Sequence, residues 1–277
     1  MLTGTSFSIF NIERAMYSMV NVHADRTVKD FLFKSTTFFN LIKKFASSRL
    51  PLTIWNFNDC TIAVDFLGDK YLFCIPRGYD FNIFLNPYFH EYDITQMVFH
   101  ALSPGDVFVD VGAHGGLYTV IAGLRVKGTG KVLSLEPNPV NLIFLKSNIE
   151  LNNLNNVSLI PKAADDKFGR IQLFYSTHNT ALTSANKTDG KMIEVETTTI
   201  DKATEAFPFV KIIKIDTEGH DLTVLKGALR TLEKAHFVII EQNSSDIRKL
   251  LSGIGFALST LKPSGYLLGK NQIFAAD

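Results

Sequence analysis

DVFVDVGAHGGLYTVIA, residues 106–122, runs from an apolar strand through Asp110 into a glycine turn and on into a helix. Gly112, Gly115 and Gly116 remove side chains where the backbone must bend sharply and where a ligand must come close, while the helix that follows aims unpaired N–H groups at it. Strand, glycine turn and helix in this order predict a nucleotide-type cofactor. A dinucleotide fingerprint requires glycine two residues after the first, and His114 stands there, so the GxGxxG of nicotinamide and flavin enzymes is not met. On this reading Gly112→Val fills the ligand's space and abolishes cofactor binding in an otherwise intact fold.

Downstream of Ser103-Pro104-Gly105 the pattern alternates strand and helix, which predicts an α/β domain with a parallel sheet covered on both faces. Strands are expected near 107–111, 131–135, 157–160, 210–215 and 236–241, with a closing antiparallel hairpin near 256–260 and 270–275. Asn138 is a cap with Pro139 at the first helical position, and Leu142, Leu145 and Ile149 mark that helix's buried face. Leu222, Leu225, Leu229 and Leu232 do the same in a later helix. Residues 163–200 interrupt the alternation with a turn at Asp165–Gly169, two β-like runs (IQLFY and MIEVETT), and a polar loop holding His178, Asn179 and Thr180.

Upstream, the first ninety-two residues read as an extension to a domain spanning 93–277. Between 26 and 50, six basic residues face one acid, Asp30, while Val28, Phe31, Leu32, Phe39, Ile42 and Phe45 recur at helical spacing. This basic amphipathic helix is expected first to pack on the main domain or on a homodimer mate, and second to touch a membrane surface peripherally. CTIAVDFLGDKYLFCIP, residues 60–76, alternates as a hairpin turning at Gly68-Asp69, with Leu67 opposite Lys70 and hence Cys60 near Arg77, away from Cys74. A formal charge of +1 supplies no field for gripping a phosphate backbone. Two cysteines, no charged run before an apolar one and no long apolar stretch are the pattern of a cytoplasmic protein.

Glu136 ends the second strand in LSLEPNP, twenty residues after Gly116, where a carboxylate can accept bonds from both ribose hydroxyls of a nucleoside. Asp110 suits an orienting role near the cofactor's amino-acid part, by bonding an ammonium or a glycine-turn N–H, or else bonds local backbone. Asp165 follows the third strand, where it can bond an adenine amino group or serve as a simple turn acid. KIIKIDTEGHDLTVLKGA, residues 211–228, carries Asp216, Glu218 and His220 into one loop at a strand's carboxyl end, and FVIIEQN brings Glu241 and Gln242 to the same edge. The structural alternatives are stabilisation of a helix N-terminus by Glu218 and capping of that helix by His220.

DVGAHGG, EPNP, TTTID and KIDTEGHDLTVLKGA, in this order, resemble the FkbM family of S-adenosylmethionine (SAM)-dependent methyltransferases over roughly residues 60–275. The resemblance implies a Rossmann-like class I fold, a seven-stranded, mostly parallel sheet with helices on both faces, and O-methylation of a sugar, glycan or natural-product hydroxyl. By this likeness Asp110, Gly112 and Gly116, with His114 between the glycines, form the first motif; Glu136 is the ribose contact and Asp216 to His220 the wall facing the acceptor. His114, Gly115 and Leu117 depart from the family's more frequent residues.

Methyl transfer from a sulfonium is an in-line displacement, so the protein must hold the acceptor oxygen against the methyl carbon and remove its proton. His220 is the expected general base, since an imidazole of ordinary pKa, about 6.5, suits that task. Asp216, Glu218 or Asp221 would orient its ring, and His178 is the reserve. The alternative is a Mg²⁺ held by Asp216, Glu241 and Gln242, which would acidify the hydroxyl directly. Two rival functions are weighed. NPVNLIFLKSNIELNNL resembles a segment of archaeal-type tRNA guanine methyltransferases, against which stand the near-neutral charge and the lack of an RNA-binding module. The other is a non-catalytic SAM-binding protein whose N-terminal helix engages a partner or membrane, against which stand the intact glycine and acidic motifs.

Overall fold

The fold is that of a computed structural model, which describes residues 20–22, 60–66, 69–75, 92–175, 183–184, 191–242, 244–261 and 265–270. The expected amphipathic helix at 26–50 and the loop with His178, Asn179 and Thr180 lie outside these residues. The chain divides into two compact units, Met1–Leu85 and Asn86–Asp277.

The first unit holds an antiparallel sheet of β1 (Val20–Val22), β2 (Cys60–Phe66) and β3 (Asp69–Ile75), in that order. Phe66 pairs with Asp69 and Asp65 with Lys70, so the expected Leu67–Lys70 register is displaced by two residues. Cys60 consequently faces Ile75, and Thr61 faces Cys74.

The second unit is built on a seven-stranded sheet. Its strands are β4 (Val107–Val111), β5 (Lys131–Leu135), β6 (Val157–Ile160), β11 (Val210–Ile215), β12 (Ala235–Ile240), β13 (Phe256–Leu261) and β14 (Gly265–Lys270). The spatial order is β13-β14-β12-β11-β4-β5-β6. The run from β12 to β6 is parallel, and β14 and β13 close it as an antiparallel hairpin. The last strand begins five residues earlier than expected, because Gly265 itself pairs with Leu261. A smaller sheet orders β7 (Ala163–Ala164), β10 (Lys191–Thr198), β8 (Gly169–Tyr175) and β9 (Thr183–Ser184), with IQLFY and MIEVETT as its antiparallel pair.

Both faces of the parallel strands are buried, which is why they read as continuous apolar runs. Val107, Val109, Val111, Ile213, Ile215, Val238 and Ile240 join one apolar cluster with α4 (Ile200–Ala203), α5 (Asp221–Lys226), α6 (Leu229–Glu233) and α7 (Ser245–Gly253). The alternate residues face α1 (Tyr92–Ala101), α2 (Leu117–Val126) and α3 (Pro139–Leu151), as the bond from Thr119 of α2 to Asp110 of β4 shows. In α3 the Asn138 cap and Pro139 stand as expected, with Asn138 Oδ1 accepting from the Val140 N–H.

Two helical expectations are corrected. The buried stripe of α3 is Asn141, Leu145 and Asn148, one residue out of phase with Leu142, Leu145 and Ile149. Its two asparagines serve the loops beside them, so hydrophobicity alone could not mark this face. The later helix is broken into α5 and α6 at Gly227, and Leu229 is 45% exposed. A Cβ at Gly227 would overlap the carbonyl oxygen of Asp165 and stand 3.0 Å from its carbonyl carbon. Asp201 then restarts the helix by accepting from the N–H groups of Arg230 and Thr231.

Candidate functional site

Across the sheet, strand order sets the carboxyl ends of β12, β11, β4 and β5 side by side, and Glu241, Asp216, Gly112 and Glu136 follow those ends in turn. Succession reverses between β4 and β11, which makes their junction the topological switch point where open α/β sheets bind ligands. At about 4.8 Å per strand, the row from Glu241 to Glu136 spans about 14 Å.

The glycine turn sits at that junction. Gly112 (φ 76°) and Gly116 (φ 91°) occupy left-handed backbone, and His114 does so at φ 52°, where a side chain is strained. A Cβ on Gly112 would overlap the carbonyl oxygen of Asp216. Gly112 is thus required by the close packing of the β4 turn on the end of β11, and the expectation that Gly112→Val leaves the fold intact is corrected. The turn is pinned by Gly112 and Ala113 N–H groups donating to the Leu135 carbonyl, and by Asn148 Nδ2 donating 2.7 Å to the carbonyl of Gly115.

Glu136 ties this turn to the next. One carboxylate oxygen accepts from the His114 N–H at 2.8 Å; the other accepts from the Asn138 N–H at 2.8 Å and Asn141 Nδ2 at 3.2 Å. Of about four lone-pair sites on a carboxylate, three are taken, so accepting two ribose hydroxyls together would displace one of these donors. Burial pushes Glu136 up to about 7 despite the three bonds. Burial likewise pushes His114 down to about 4, with Lys214 adding to the effect and Asp216 opposing it.

Sequence reasoning missed a buried polar row beneath the turn. Ser134, Asp110 and Lys214 are register partners on β5, β4 and β11, and Thr119 reaches them from α2, 2.6 Å from Asp110 Oδ2 and 2.7 Å from Ser134 Oγ. The available signal was one polar residue at matching positions in three otherwise apolar strands. Asp110 is 1% exposed, its Oδ1 has no hydrogen-bond partner, and burial raises its pKa. The Lys214 ammonium lies 4.8 Å from the centre of the Tyr118 ring and 3.0 Å from Asp216 Oδ2.

Asp216 opens the loop into α5. Burial, the largest influence, works against its charge, but Lys214, the hydrogen bond to Glu241 and His114 together hold its carboxyl below the usual value. Glu241 is raised by burial and by the neighbouring Asp216 and Glu218 to about 7, and it hydrogen-bonds to Asp216. Carboxylate oxygens of Asp216, Glu218 and Glu241 lie within 4.8 Å of one another, an arrangement able to hold a divalent cation. Glu218 thus joins the expected Asp216 and Glu241.

Asp221 closes the loop: its Oδ1 accepts from the N–H and hydroxyl of Thr217, and its Oδ2 accepts from the Gln242 N–H at 3.3 Å. With three of its about four lone-pair sites taken, it serves as a post for the loop. His220 makes no side-chain capping bond to α5. Its Nε2 is buried and stands 3.6 Å from Asp165 Oδ2, while its side chain as a whole is 23% exposed. Asp165, expected at an adenine, directs one oxygen to the Asp166 N–H at 2.6 Å and the other to this ring.

Residues 110–267, over half of the chain, match the family described as Methyltransferase FkbM domain. A hexuronic acid methyltransferase of Haloferax volcanii is 27% identical over 191 residues, which are 66% of this chain and 77% of that protein. Among solved structures, a methyltransferase FkbM from Methylobacillus flagellatus aligns with a TM-score of 0.46 at 21% identity, over 61% of this chain and 44% of its own. A SAM-dependent O-methyltransferase from Thermotoga maritima aligns with a TM-score of 0.40 at 11% identity, over 75% of this chain and 77% of its own.

Proposed function

As the chain belongs to the family of methyltransferase FkbM domains, we propose that it moves the methyl group of SAM to a hydroxyl of a sugar, a hexuronic acid or its glycoside in the first instance. One observation carries this reading: the glycine turn and the Asp216–His220 loop leave adjacent strand ends at the switch point, so a methyl donor on the first meets an acceptor on the second. The residues fit the donor. Glu136 keeps acceptor capacity for a ribose hydroxyl, and the unbonded Asp110 Oδ1 suits an ammonium. SAM when bound supplies a methyl carbon made electrophilic by its sulfonium.

The chain's residues then do the rest. The loop from Asp216 to His220 holds the sugar so that its hydroxyl oxygen meets the methyl carbon in line. That oxygen forms the new C–O bond, the methyl–sulfur bond breaks with its electron pair going to sulfur, and His220 takes the hydroxyl proton. The Asp216, Glu218 and Glu241 cluster favours a second reading, in which these three carboxylates hold Mg²⁺ and the metal acidifies the hydroxyl in place of His220.

Methyl transfer is measured over a panel of methyl glucuronide, methyl galacturonide, neutral methyl glycosides and bulk tRNA. Turnover confined to the sugars is expected, and turnover on tRNA alone overturns the assignment. His220→Ala should lower kcat by about 10² to 10⁴ with SAM affinity nearly unchanged. Activity abolished by chelation, restored by Mg²⁺ and lost in Glu241→Ala but not in His220→Ala would select the metal.

A further inference from the structure

We propose that Asp165, which sequence reasoning sends to the adenine, is instead the positioning residue of His220: its Oδ2 receives the ring's Nε2–H and so presents Nδ1 to the acceptor hydroxyl. This rests on His220 being the base, and elimination carries it. Asp221 has both oxygens committed to Thr217 and Gln242. Asp216 is paired with Lys214, and Glu218 belongs to one carboxylate cluster with Asp216 and Glu241. Among the described residues His220 Nε2 is fully buried without a hydrogen bond, a costly state unless an acceptor is at hand. The acceptor at hand is Asp165 Oδ2 at 3.6 Å, a gap of the size that closes when an active site fills.

Asp165 has the rigidity the task needs. It is 5% exposed, its other oxygen is fixed by the Asp166 N–H, and its own N–H donates 2.9 Å to the Thr198 carbonyl. Its carbonyl is wedged against Gly227 at the far end of the helix that His220 begins. Both ends of α5 therefore register on one short segment, which fixes the carboxylate relative to the ring. A bond at Nε2 selects the tautomer, because the neutral imidazole carries one proton and its other nitrogen then has the free lone pair. The ring's exposure also lies away from the buried Nε2. Asp165 thereby completes a line of carboxylate, imidazole and hydroxyl in which the carboxylate never takes the proton.

The test uses the full chain with methyl glucuronide and SAM. Asp165→Asn should lower kcat by about 10²-fold or more with the KM for SAM and the melting temperature nearly unchanged. On a His220→Ala background the same substitution should cost nothing further, since the two residues act as one unit. Nitrogen NMR of ¹⁵N-histidine protein should show neutral His220 with its proton on Nε2, and a mixture of tautomers in Asp165→Asn. A wild-type ring protonated on Nδ1 overturns the proposal even if every variant unfolds. Additive losses, or an Asp165→Asn defect confined to the KM for SAM, overturn it in favour of an adenine contact. If His220→Ala keeps full activity, the base assignment fails separately, and the tautomer measurement still decides the pairing.

Discussion

Replacing Gly112 by alanine adds one methyl group at the most crowded point of the site. That carbon overlaps the carbonyl oxygen of Asp216 and lies 3.0 Å from its carbonyl carbon, and both neighbours are backbone and cannot rotate away. Left-handed φ of 76° costs a non-glycine residue about 1–2 kcal/mol. Separating the turn from β11 strains the bonds from Asp216 N–H to the Val111 carbonyl and from Gly112 N–H to the Leu135 carbonyl, at about 1 kcal/mol for each one lost. Forcing the neighbours apart adds about 1–3 kcal/mol of overpacking. The sum, about 2–7 kcal/mol depending on how many of these bonds are lost, is a large part of the 5–15 kcal/mol typical of a whole domain. Gly116→Ala is the control: it shares the strained φ, 91°, but meets only the Cδ1 of Leu145 at 2.6 Å, the tip of a side chain that can turn. Urea unfolding followed by circular dichroism should therefore place Gly112→Ala at least 1 kcal/mol below Gly116→Ala. Equal stabilities, or a loss under about 1 kcal/mol at Gly112, would refute the packing argument and return this glycine to a purely ligand-facing role.

Two other outcomes are expected. Burial holds the Glu136 proton up to about 7 in the folded chain against 4.5 ordinarily, so the folded state binds more protons across that window and stability is lost as pH rises through it. The loss is on the order of 3 kcal/mol. Glu241 contributes in the same window, so the measurement is the difference between wild type and Glu136→Gln, which should have the flatter profile; parallel profiles would remove Glu136 as the cause. Asp221→Ala leaves the N–H groups of Thr217 and Gln242 without their acceptor and should cost about 2–3 kcal/mol. Amide hydrogen exchange should quicken at both positions, and unchanged protection there would show that the loop is held some other way.

How far the site could be read in advance depends on where each residue's partner lies in the chain. The strands from Val107 to Ile240 are legible because both their faces are buried, and the first motif because glycines cluster only where backbone requires it. Local partners were legible too, as with Asn138 and Val140. What sequence could not show were pairings between distant segments made by polar groups. Asn148 bonds the Gly115 carbonyl thirty-three positions away, and this shifts the buried stripe of α3 off its leucines. Asp165 and His220 are no neighbours in sequence, and their meeting depends on Gly227 letting α5 settle on the Asp165 carbonyl. The hairpin register in the first unit failed differently: moving the turn by one residue shifts every cross-strand partner by two, so Cys60 pairs with Ile75 in place of Arg77.

The pairing of β4 with β11 has a consequence for how the molecule is made. Val111 and Ile215 are direct neighbours, yet about a hundred residues of chain separate them, and closing so long a loop between parallel strands is among the slow events of folding. During synthesis the glycine turn emerges long before the strand that completes it, leaving Asp110 without Lys214 and Gly112 without its Asp216 contact. Donor and acceptor halves are brought together only when β11 pairs with β4. A chain ending before Val210 therefore has no half-built transferase to offer, and refolding rate and the return of methyl transfer should follow the same clock.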